Sequence, residues 1–89
     1  MSNANTLIKP TERPAQLQAN LAGAWKTVLT FDAGDDVAAE KIQQGALLLH
    51  EASPATGYRI TTRDRYPVVL CHLGKNTYGI WMKAREEDQ

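Results

Sequence analysis

The stretch from Asp35 to Ser53 (DDVAAEKIQQGALLLHEAS) constrains this chain most, because it alone is long and periodic enough to read as a helix with both ends marked. Asp35 and Asp36 follow Gly34, and either can accept hydrogen bonds from the first free amides as an N-cap. Both carry the charge that a helix N-terminus favours. Pro54 disfavours the helical conformation at Ser53, and Ala55-Thr56-Gly57 reads as the loop that returns the chain. On a helical wheel, Ala38, Ala39, Gly45, Ala46, Leu49, Ala52 and Ser53 fall within about 80° of Ile42. A stripe of such small side chains, with Gly45 as its closest point, suits packing on a flat sheet. The opposite side carries Asp36, Glu40, Gln44 and Glu51 with Val37, Leu47 and Leu48 among them. Those three aliphatics read either as scattered surface residues or as contacts with a second chain.

The partner of the helix is therefore sought among β-type segments. Trp25 to Phe31 (WKTVLTF) is rich in β-branched and aromatic residues and ends at the turn signal Asp32-Ala33-Gly34. Tyr58 to Arg63 alternates, with Tyr58, Ile60 and Thr62 against Arg59, Thr61 and Arg63. Pro67 to Leu73 (PVVLCHL) is a nearly unbroken apolar run, and Gly74-Lys75-Asn76 reads as a tight turn into Thr77 to Arg85 (TYGIWMKAR). The order β-α-β-β-β follows: an α+β domain over residues 24–85, in which a four-stranded mixed sheet has one helix covering one face. A right-handed crossover makes the first two strands parallel, and short turns make the last three an antiparallel meander. The helix then packs Ile42 and Leu49 against Ile60, Ile80, Met82 and either Val69 or Leu70.

Residues 1–23 read as a flexible tail, broken by Pro10 and Pro14, in which residues 14–22 form a short helix with Leu17 and Leu21 on one side and Gly23 as its stop. Residues 86–89 read as a solvated acidic tail. A core drawn from about 65 residues is marginal on its own, which favours self-association.

Ten basic and ten acidic residues leave no net charge to draw the chain toward nucleic acid or membranes. The distribution is lopsided. From Asp32 to Glu51 five acids face one base, and from Arg59 to Arg85 six bases face one acid. Cys71 is the only cysteine, which excludes an internal disulfide and fits a reducing compartment; with no signal-like or membrane-spanning run, the expected location is cytoplasmic.

No catalytic constellation is visible. His50 lies on the flank of the helix stripe. Cys71 and His72 are adjacent in a strand, so they point to opposite faces and cannot act as nucleophile and base. Cys71 is most simply a small core residue. The six glycines show no phosphate-loop spacing, and Asp32, Asp35 and Asp36 lack a calcium-loop pattern. No enzyme activity, cofactor or metal is expected; a small enzyme or small-ligand-binding protein is the further alternative, and it requires a deep pocket with His50 or His72 beside a carboxylate.

If Ile60 and Ile80 face the helix, alternation sends Arg59, Thr61, Arg63, Trp81, Lys83 and Arg85 to the open face, making it basic and aromatic, with Trp25 on either side. Three uses of that face compete. The first is a homodimer formed through the open face, or through the outer helix patch of Val37, Leu47 and Leu48. The second is a single-stranded nucleic-acid platform, with Trp81 and Tyr66 stacking on bases. The third is an acidic protein partner. A small non-enzymatic, self-associating interaction module is the reading these residues favour.

Overall fold

A computed structural model of the chain describes residues 13–74, 77 and 79–84. In chain order the elements are β1 (Pro14–Leu21), β2 (Ala24–Asp32), α1 (Asp36–Ala52), β3 (Tyr58–Thr62), β4 (Val69–Leu73) and β5 (Met82–Lys83). The strands form one sheet in the order β2-β1-β3-β4-β5, and every adjacent pair is antiparallel. Among the described residues the fold is α+β, with five strands rather than four and an antiparallel rather than a mixed sheet. β2 and β3 do run parallel, joined through α1 as the crossover argument requires. They are not neighbours, because β1 lies between them.

β1 is the main correction to the sequence reading: the segment expected to form a helix over 14–22 is a strand at the interior of the sheet. Ala15, Leu17 and Ala19 alternate with Gln16, Gln18 and Asn20, and the first three are buried while the others are half-buried. That two-residue period outweighs the helix propensity of Ala, Leu and Gln once neighbouring strands are present to use it. Ala22-Gly23 is then a two-residue hairpin turn and not a helix stop. Both residues have positive φ, 55° and 85°, as the mirror-image turn favoured in hairpins demands, and Asn20 Oδ1 accepts from the Gly23 amide at 3.1 Å. Residues 1–12 and 85–89, including the expected acidic tail, lie outside the described residues.

The helix is close to its expected limits. Asp35 is the N-cap, accepting from the Val37 and Ala38 amides at 3.1 Å each, and Ser53 closes the other end by donating its amide to the Leu49 carbonyl. Its buried line runs through Ala46 and His50 with Ala39 and Gln43 alongside, which is turned about 60° from the stripe centred on Ile42. Two bonds hold that rotation. Trp81 Nε1 donates to the Gln43 carbonyl at 2.8 Å, and the Gln43 amide reaches Cys71 Sγ at 3.5 Å. As a result Leu47 packs against the core, while Leu49 is 56% exposed and Gly45 faces open space. Beneath the helix lie Ala15, Leu17, Ala19, Tyr58, Ile60 and Leu73. Of the other expected core residues, Ile80 and Met82 are exposed.

The C-terminal hairpin is also shorter than expected. Among the described residues Met82 and Lys83 pair with β4 and Ala84 donates its amide to the Leu70 carbonyl at 3.0 Å, while Thr77 folds back on Gly74 and Gly79 takes a positive φ of 79°. Its side chains follow the opposite phase to the expected one. Lys83 stands across from Cys71 on the helix side, and Met82 stands across from His72 on the open side. With Trp81 bonded to the helix, the predicted basic and aromatic cluster of Trp81 and Lys83 is absent from the open face.

Candidate functional site

The open face owes its chemistry to β1, β2 and β3. A β-bulge lies between Leu17 and Gln18, so that Leu29 pairs with Leu17 and Thr27 with Gln18, leaving Val28 as the extra residue. The alternation of β2 therefore changes phase at Val28. Leu29 and Phe31 share the helix side with Leu17 and Ala15, whereas Thr27 and Trp25 share the open side with Gln18 and Asn20. No sequence pattern marks such a phase change, which is why the side taken by Trp25 was open.

A directed chain of hydrogen bonds crosses this face. Arg59 Nε donates to Gln18 Oε1 at 2.7 Å, and Gln18 Nε2 donates to Thr27 Oγ1 at 3.4 Å. Thr27 Oγ1 donates to Gln16 Oε1 at 3.2 Å, and Gln16 Nε2 donates to Thr61 Oγ1 at 3.0 Å. Thr61 Oγ1 ends the chain on the Thr62 carbonyl at 3.0 Å. Each hydroxyl both accepts and donates, so the amide orientations support one another. This also explains how Thr61, only 2% exposed, is buried without an unsatisfied hydroxyl.

The chain fixes Arg59. With Nε committed to Gln18, its guanidinium lies 4.2 Å from the centre of the Trp25 ring, a cation–π stack. Partial burial pulls the guanidinium below its ordinary pKa, although an arginine stays charged at neutral pH. Among the described residues no carboxylate pairs with it. His72 is its cross-strand neighbour on β4. Beside them opens a cleft of about 540 Å³ lined by Asn20, Trp25, Arg59, Val69, His72 and Thr77 among others.

The sequence-predicted residues scatter around this site. Arg59 is in it. Arg63 is exposed just past the other end of β3 and lines a smaller pocket with Pro14, Thr30, Phe31 and Asp32. Trp81 and Lys83 are on the helix side, and Arg85 lies outside the described residues. Val37 and Leu48 are exposed on the outer helix, but Leu47 belongs to the core, so the expected trio is not one patch. Tyr66 is exposed in the loop after β3, at the far end from the cleft, with the Arg65 guanidinium 5.6 Å from its ring centre. Sequence reasoning missed Gln16, Gln18, Thr27 and Val69, and the alternation of Gln16 and Gln18 was the signal available.

The two remaining reactive side chains have structural settings. His50 is buried, and its Nδ1 donates to the Thr56 carbonyl at 2.8 Å, tying the end of α1 to the loop that follows. Cys71 faces α1 and His72 faces away, as strand geometry requires. Burial pushes the Cys71 thiol above its ordinary pKa, with the Gln43 contact opposing the rise, so the position suits a packed thiol and not a reactive thiolate. No group of three or more potential metal ligands occurs among the described residues. No helix among them is long and apolar enough to cross a membrane. No protein-family model, curated protein or solved structure matches the chain.

Proposed function

We propose that the protein is a small non-enzymatic interaction module that forms a homodimer through the free edge of β2. The observation that supports this reading is the exposure of β2. Among the described residues it is an edge strand of nine residues, and every position from Leu21 to Thr30 is exposed, including Trp25, Val28 and Leu29. A long apolar edge with a single charge between Ala24 and Phe31, at Lys26, is a template for pairing with another strand.

The bulge favours one register. Because like faces must meet, the alternation on either side of Val28 is satisfied when a two-fold axis falls between Val28 and Leu29. Thr27 then lies across from the partner's Thr30 on the open side, and Val28 across from the partner's Leu29. The helix contributes as well. Gln43 and Trp81 anchor one flank of α1 over β4, so the other flank, with Ile42 and exposed Leu49, lies toward β2. Closing the edge covers Leu49 together with Val28 and Leu29, and the two-fold arrangement is the isologous kind that most homodimers use.

Light scattering over a range of protein concentration, at low and high salt, tests the reading. The expected result is a dimer that persists at high salt, since the seam is apolar. Replacing Val28 and Leu29 by Lys is expected to give a monomer with unchanged circular dichroism. A wild-type chain that stays monomeric throughout overturns the proposal.

A further inference from the structure

Beside the proposed edge, the open-face cleft has the chemistry of a ligand site. We infer that it binds a nucleoside phosphate, with the phosphate on Arg59 and His72 and the base extending the Trp25–Arg59 stack. Three observations carry this. Arg59 is partly buried, held at Nε by Gln18, and has no carboxylate partner among the described residues, which leaves its two terminal nitrogens as an oriented fork. Such a fork matches phosphate oxygens and loses little freedom on binding because the hydrogen-bonded chain across the sheet already positions it. His72, directly across on β4 and exposed, supplies a second donor to the same anion.

The remaining lining argues for more than a bare anion. Trp25 and Val69 are apolar walls that a phosphate alone would not touch, and the volume of about 540 Å³ is in the range of small-molecule sites. Aromatic rings and arginine planes are the surfaces on which unpaired bases stack. Asn20 also lines the cleft, and with its Oδ1 held by the Gly23 amide its side-chain NH2 is the group that can donate to a base. A free nucleotide and a nucleotide within a single strand present the same chemistry here.

The test is a nuclear magnetic resonance titration of the full chain with thymidine monophosphate, following the Trp25 indole and the amides of Gly57, Arg59 and Gly74. Thymidine and inorganic phosphate serve as separate probes, and a short oligothymidylate as a fourth. The expected result is saturable shifts confined to the cleft, with thymidine monophosphate binding about tenfold or more tightly than either half alone. Arg59→Gln is expected to weaken binding by about tenfold or more, and Arg59→Lys, which keeps charge but loses the planar fork, to fall between. Tighter binding of the oligonucleotide assigns the site to a strand; equal or weaker binding assigns it to the free nucleotide. The inference is overturned if the monophosphate shifts nothing in the cleft, if phosphate binds as well as the nucleotide, or if folded Arg59→Lys and Arg59→Gln proteins bind like the wild type. Because Trp25 belongs to the β2 edge, the titration is run on both the wild type and the protein with Val28 and Leu29 replaced by Lys, which separates failure of the site from failure of the dimer.

Discussion

β1 and β2 are hydrogen-bonded along their whole length, yet they have opposite fates. β1 (PAQLQANL) is built of residues with little preference for strands, and it buries Ala15, Leu17 and Ala19 beneath the helix. β2 (AWKTVLTFD) has the composition of a core strand and is exposed from end to end until Phe31. The difference shows that burial belongs to a strand's position in the sheet order and not to its own propensity. Among the described residues β1 has neighbours on both sides and α1 above it, whereas β2 has one neighbour. A strand with β2's composition left at an edge is what suggests a second copy.

The largest effect should come from testing that contrast directly. Leu17→Ala is expected to lower unfolding free energy by about 2–5 kcal/mol in urea denaturation, as for a buried leucine whose cavity cannot collapse. Leu29→Ala should cost much less at concentrations where the protein is monomeric. A Leu29 cost that rises with protein concentration toward that of Leu17 would sharpen the comparison, because it would show β2 covered by its partner. Equal costs in the monomer would break it.

The cap of the helix that shields β1 comes next. Asp35→Ala removes the acceptor for two amides and should cost about 1 kcal/mol, read as a lower midpoint in thermal or urea melts. Of opposite sign are two substitutions at strained or open positions. Ala22 takes a positive φ at the turn that joins β1 to β2, so Ala22→Gly should stabilise by up to about 1 kcal/mol. Gly45 has open space where a Cβ would go and lies within α1, so Gly45→Ala should stabilise by a similar amount. A loss of stability at Gly45 would mean that this flank of α1 is closely covered by another chain.

The smallest effect is a pH dependence on the β4 side of the core. Burial raises the Cys71 thiol above its ordinary value, so the folded state holds the proton more tightly than the unfolded state does. The stability that this contributes is fully present below the unfolded thiol pKa of about 8.5 and is lost as pH rises through the folded value. Denaturation midpoints should therefore fall in mildly alkaline solution, and Cys71→Ala should flatten that decline.

Much of the local structure was legible in the residues themselves. The helix limits follow from Asp35 and Pro54, the alternation in Tyr58 to Thr62 follows from its side chains, and the separation of Cys71 from His72 follows from strand geometry. These depend on neighbours within a few positions along the chain. β1 was legible in principle, through the alternation of Ala15, Leu17 and Ala19 with Gln16, Gln18 and Asn20. Its helix-forming residues hid that period, because two turns of isolated helix and eight residues of strand differ only in what lies beside them.

The site was much less legible. Arg59 could be placed on the open face from alternation alone, but its partners come from positions 41 and 34 residues away at Gln18 and Trp25. The bulge at Val28 decided which way Trp25 points, and the bond from Trp81 to Gln43 turned the C-terminal aromatic toward the helix. The residues by themselves determined a capped helix, the central alternating strand and a basic stretch from Arg59 to Arg85. Tertiary structure alone decided the strand order, the rotation of α1 and the identity of the aromatic beside Arg59, because each rests on pairing between segments distant in the chain, for which local periodicity carries no information.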